Sequence, residues 1–179
     1  MNQPWYIATE SFSPHDGEKW KGYVAWSGLV HLDEVVSLDQ MLCPTLLPEI
    51  KDDFWPHVVN QEFLLNYFVD LEFLLAQIAN VSKKNILCVI REPSAEIAAG
   101  FDARFQLVGF DLLETDTATS ALVNCGGFPR AFRNDELNSK GLLSSLSRAR
   151  EVQTSLRAEY PEEHHAQCDV WQVSRAVAL

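Results

Sequence analysis

The sequence predicts an α+β protein, a mainly antiparallel sheet of about four to six strands packed against two main helices. Three observations carry this prediction. Two strand-like runs, 86–91 and 105–125, follow each other with no long helix between them, and the second reads as a hairpin. Two stretches, 60–80 and 142–160, repeat apolar residues at the 3.6-residue spacing of a buried helical stripe. Residues 169–175 then alternate apolar and polar side chains as a closing strand. Strands that follow one another directly exclude a doubly wound parallel sheet, which needs a crossover helix between neighbours.

The N-terminal third is mixed. Trp5-Tyr6-Ile7-Ala8 suits a short strand, and Ser13 to Gly17 a loop. Residues 23–30 are apolar and too short for periodicity to decide between strand and helix. Leu32, Val35, Val36 and Leu38 offer the partial stripe of a short helix over 32–41. Residues 52–56 read as a turn, with Trp55 kept out of the helical region by Pro56.

The expected helix over 60–80 is the core organiser. Leu64, Phe68, Leu71, Leu75 and Ile78 form its stripe, broadened by Phe63, Tyr67 and Leu74. Glu92-Pro93 ends the strand at 86–91, and Ser94 caps a helical turn over 95–99. In the hairpin, two alternating sets beginning at Phe105 and Gln106 occupy opposite faces, both largely apolar, as in a strand covered on both sides. Residues 115–119 supply the turn and 120–125 the return strand. Gly126-Gly127 and Pro129 end that strand, and Asn134 opens a short helix. Over 142–160, Leu143, Leu146, Ala149, Val152 and Leu156 share a face, and Pro161 stops the helix.

At 179 residues the chain suits one domain, 1–179: a partly irregular part at 1–58 and a helix-strand-hairpin-helix-strand core at 59–179. Its 47% hydrophobic and 22% charged content excludes a disordered chain. No apolar run is long enough for a membrane helix, and no signal sequence opens the chain, so a cytoplasmic protein is expected. The four cysteines are widely spaced, and Cys88 and Cys125 fall in apolar strands, which suits reduced thiols without disulfides.

The net charge of −11 is concentrated: residues 1–80 hold 12 acidic and 3 basic side chains. An acidic half repels phosphate backbones and argues against general nucleic-acid binding. It suits a basic protein partner, engaged through Asp33, Glu34, Asp39, Glu49, Asp52, Asp53 and the aromatic Trp55. The simpler reading is that this charge keeps the protein soluble.

Three further clusters are candidates for chemistry. Cys125 beside Gly126-Gly127 could be a nucleophile next to free N–H groups, with His164 or His165 as base; the simpler reading is a strand-end cysteine before a turn. His164, His165 and Cys168, with Asp169, are metal-ligand types in a short span, but no paired spacing frames them. No cofactor is expected. Arg130, Arg133, Arg148 and Arg150 could gather around an anion, yet no phosphate-loop motif accompanies them, and pairing with Asp135, Glu136 and Glu151 is simpler.

The segments SLDQMLCP, FWPHVV, NILCVIREP, VGFDLLE and NCGGFP, with Glu162-Glu163-His164, Cys168-Asp169 and Trp171 in the tail, together resemble a group of uncharacterised bacterial proteins. The resemblance covers most of the chain. That group carries no established activity, so it implies no functional residue. By analogy with other small acidic bacterial proteins, it implies an immunity or partner-binding role.

Overall fold

The computed structural model describes residues 3–59, 64–95, 102–114, 116–177 and 179. Five antiparallel strands form one sheet: β1 (Trp5–Glu10), β2 (Lys84–Arg91), β3 (Phe105–Glu114), β4 (Thr119–Ser120) and β5 (Asp169–Ala176). Their order across the sheet is β1-β2-β5-β3-β4, so the last strand of the chain inserts at the centre. Among the described residues three α-helices accompany it: α1 (Glu18–Ser27), α2 (Leu71–Gln77) and α3 (Leu146–Glu159). The expected α+β class is what the chain adopts. Among the described residues no helix is long and apolar enough to cross a membrane.

The two faces of the sheet are covered differently. Strand alternation puts Tyr6, Ala8, Ile86, Cys88, Phe110, Leu112 and Val170 on one face. There α2 packs Leu71, Leu74 and Ile78 against the β1–β2 end. At the β3–β5 end α3 packs Ala149, Val152 and Leu156. The opposite face carries Ile7, Leu87, Val89, Leu113, Trp171 and Val173, and it is covered by irregular chain bringing Val36, Leu38, Tyr67 and Leu142. Tyr67 stacks on Trp171 at 5.2 Å, with Trp5 beside both.

Irregular chain over a core raises a problem that helices do not have: its N–H groups need acceptors. Two buried carboxylates supply them. Asp111 on β3 accepts the hydroxyls of Ser37 (2.5 Å) and Ser120 (2.6 Å) and the N–H groups of Leu38 and Leu112. Asp39 accepts the N–H groups of Met41, Leu42 and Ser120 and the side-chain amide of Asn124. Burial lifts the Asp111 carboxyl above its ordinary range, opposed by the hydroxyls of Ser120 and Ser37.

These bonds explain why 32–41 is not the helix its stripe suggests. Ser37 and Asp39 satisfy nearby backbone with their own side chains, an alternative that competes with helical bonding. The segment instead runs extended, with Val35 bridging Phe12. The long helix expected at 60–80 is also corrected. Positions 60–63 lie outside the described residues; of the described ones in that span, Leu71–Gln77 is α-helical, and Asp70 is its N-cap, accepting the N–H of Phe73. Before that cap, Phe68 exchanges both backbone hydrogen bonds with Tyr6, at 2.8 Å each, and lies along the outer edge of β1. Apolar runs as short as Tyr67-Phe68-Val69 meet helical spacing and a buried extended segment equally well.

Other boundaries shift for local reasons. Residues 23–30 supply the end of α1, closed by Gly28 in the left-handed conformation. Asp52–His57 is a 3-10 helix with Pro56 inside it, not the turn expected. The return strand is only two residues long, and 121–126 turn away from the sheet. Further along that edge 137–143 packs on β3, where Leu143 exchanges backbone bonds with Phe110. A Cβ on Gly109 would stand 2.7 Å from Leu143 O, so the close approach needs glycine. A bulge at Val108 shifts the β3 register, so the two alternating sets expected along 105–114 exchange faces at that point. The expected helical turn at 95–99 lies largely outside the described residues.

Candidate functional site

The clearest presented surface is the 3-10 helix Asp52–His57. With three residues per turn, positions i and i+3 stand above one another. Phe54 and His57 form the inward row. Phe54 is buried against Phe68 and Phe73, and His57 stacks flat on Phe73 at 3.9 Å while bonding Asp70 at 3.1 Å. Asp52 and Trp55 form the outward row. Trp55 is 57% exposed, and Asp52, Asp53 and Glu49 are exposed around it. An inner row packed on the core therefore presents an aromatic side chain and carboxylates to water.

The remaining acidic candidates part company with this group. Asp33 is exposed beside Lys140 on another loop. Glu34 is mostly buried between Lys140 (2.8 Å) and Arg175 (2.7 Å). Burial alone would raise its carboxyl, but the bonds from Lys140 and Arg175 hold it below its usual range. Asp39 is fully buried and occupied with the loop N–H groups, so it is corrected from a partner-facing residue to a structural one. The charge pattern marked an acidic segment; burial decides which of its members face outward.

Cys125 is not arranged as a nucleophile. Its thiol donates to Ser120 O at 3.3 Å, and no hydrogen bond joins it to His164 or His165. Burial, followed by the nearby carboxylates of Asp39, Asp111, Glu114 and Glu163, pushes it up to about 12. A thiol so placed stays protonated at neutral pH and lacks the thiolate that nucleophilic catalysis requires. Gly126 and Gly127, with φ of 68° and 90°, turn the chain there. They line an open groove of about 330 Å³ with Phe128, Pro129, Phe132, Arg133 and Asn134.

The arginines do not gather around an anion site. Arg130 pairs with Glu159 and lies over the Tyr160 ring, Arg133 pairs with Asp135, Arg148 with Glu136 and Glu151, and Arg150 with Glu92. Each guanidinium is already engaged by carboxylates.

The histidine cluster assembles in part, and with a member that sequence reasoning missed. His164 and His165 open a short 3-10 turn, His164–Ala166, and face Glu114 at the end of β3. Cys168 is buried, with its thiol directed to Ala166 O, and does not join them. Burial alone would raise the Glu114 carboxyl, but bonds from the Thr117 hydroxyl and the N–H groups of Asp116 and Thr117 hold it low. No local spacing connects residue 114 to 164; only the pairing of β3 with β5 does.

Compared with known proteins, the chain matches no family model, no curated protein and no solved structure.

Proposed function

We propose that this is a non-enzymatic protein-binding protein of the cytoplasm, a regulatory or immunity-type factor that engages a basic partner through the outward row of the Asp52–His57 helix. The observation that carries the reading is Trp55, 57% exposed beside an inner row whose Phe54 and His57 rings pack on Phe73. A large aromatic fixed in place loses little entropy on docking, and such residues dominate interface energetics. Carboxylates at 49, 52 and 53 add electrostatic steering toward a positive surface. Among the described residues, Cys125 lacks a base within hydrogen-bond reach, which favours binding over the cysteine-enzyme alternative.

The test uses the partner recovered by pull-down from the native host and identified by mass spectrometry. Charge reversal by Asp52→Lys with Asp53→Lys should slow association and flatten its salt dependence, leaving the fold intact. An unchanged association rate and salt slope would reduce the acidic segment to a solubility feature.

A further inference from the structure

The connection between α3 and β5 carries adjacent histidines whose placement the fold alone does not require. Ala166, fully buried, pins the turn, which leaves His164 at the surface and His165 half-buried beside it. One ligand atom from each histidine and one carboxylate oxygen of Glu114 all lie within 4.8 Å of one another.

Three details separate this group from a chance surface cluster. His164 Nδ1 stands 3.6 Å from a Glu114 oxygen. That is too long for a hydrogen bond. The ligand atoms of the group, all within 4.8 Å of one another, stand near enough to share one tetrahedral ion, whose ligands at about 2.1 Å lie roughly 3.4 Å apart. Second, His165 Nδ1 is buried and has no hydrogen-bond partner among the described residues. Buried polar atoms are rarely left so, and each exception calls for an explanation such as an ion. Third, Glu114 is already oriented. Thr117 bonds Oε2, the oxygen that His164 faces, through its N–H and hydroxyl, and Asp116 N–H bonds Oε1, which is the oxygen that keeps a lone pair for an ion. A ligating carboxylate is usually held in this way by its surroundings.

We propose that Glu114, His164 and His165 bind one divalent cation of the zinc class. Two imidazoles and a carboxylate suit Zn²⁺, whereas Mg²⁺ and Ca²⁺ take oxygen ligands alone. With Cys168 turned away, the set contains no thiolate. Structural zinc sites close with four protein ligands; three leave a position for water or an outside donor on the side where His164 meets solvent. The ion would clip the end of β3 to the entry of β5 without being a condition of folding.

The experiment is calorimetric titration of the chelator-treated full chain with Zn²⁺, repeated for His164→Ala, His165→Ala and Glu114→Gln, with His15→Ala as a distant control. One ion per chain is expected, with affinity lowered at least tenfold in each site variant and unchanged in the control. Substituted Co²⁺ should give four-coordinate absorption without thiolate-to-metal bands. Because Glu114→Gln could loosen the 116–118 turn, His164→Ala decides: its side chain is 63% exposed, and its metal-free melting should match the parent. Absence of saturable zinc binding, equal affinity in His164→Ala, or thiolate bands with Co²⁺ would each overturn the proposal.

Discussion

Asp39 and Asp111 are joined through one residue: Ser120 donates its N–H to Asp39 at 2.9 Å and its hydroxyl to Asp111 at 2.6 Å. The link ties the 37–42 loop and the short strand β4 to the same point on β3. Asp39→Ala would leave the N–H groups of Met41, Leu42 and Ser120 without their acceptor. The expected cost exceeds about 2 kcal/mol, read from the urea midpoint. A loss near zero would mean that water reaches the loop.

Glu34 gives a pH-dependent counterpart. Its folded carboxyl is held low by Lys140 and Arg175. Its contribution is therefore full above the unfolded range, about pH 4.3, and is lost as pH falls through the lower folded value. Glu34→Gln should be less stable than the parent at neutral pH, with the gap closing in acid. Denaturation curves across that range check it, and a constant gap would remove the charge from the explanation.

The two rows of the Asp52–His57 helix should separate in stability measurements. Phe54→Ala removes a buried ring and should cost about 3–5 kcal/mol. Trp55→Ala, one residue on, should change stability by no more than about 0.5 kcal/mol, since the ring stands mostly in water. Thermal melts of the pair suffice; a large loss at Trp55 would make it a core residue and withdraw it as an anchor.

Cys125, pushed up to about 12, should alkylate slowly in the native state near neutral pH, with a rate still climbing well into the alkaline range. A plateau at or below neutral pH, followed by mass spectrometry, would instead identify a thiolate and restore the nucleophile reading.

The strands were legible because alternation and turn residues mark them locally: 86–91 and 169–175 fall within β2 and β5, and β3 begins at Phe105. What could not be read was chain that borrows its hydrogen bonds from elsewhere. Residues 67–69 look helical by spacing but bond their backbone to Tyr6 of β1 and to His57 and Val59, and the cap that opens the helix is Asp70. The acidic segment at 49–53 was visible as charge, yet whether a carboxylate faces water or a loop N–H depends on contacts as distant as Asp39 to Asn124. Glu114 was hidden for the same reason, since its histidine neighbours lie on the far side of α3.

The covering of the sheet's edges by non-strand chain has a consequence for recognition. Phe68 and Leu46 bond Tyr6 and Ala8 of β1, Leu143 bonds Phe110 of β3, and Gln40 bonds the residue before β4. A partner, or a second copy of this chain, thus finds few open main-chain groups along the described edges on which to lay a strand. Augmentation of the sheet is thereby hindered at these positions, as a route to complexes and to fibre-like assembly alike. Shortening the 137–143 segment should therefore show itself first as self-association, before any loss of the remaining fold.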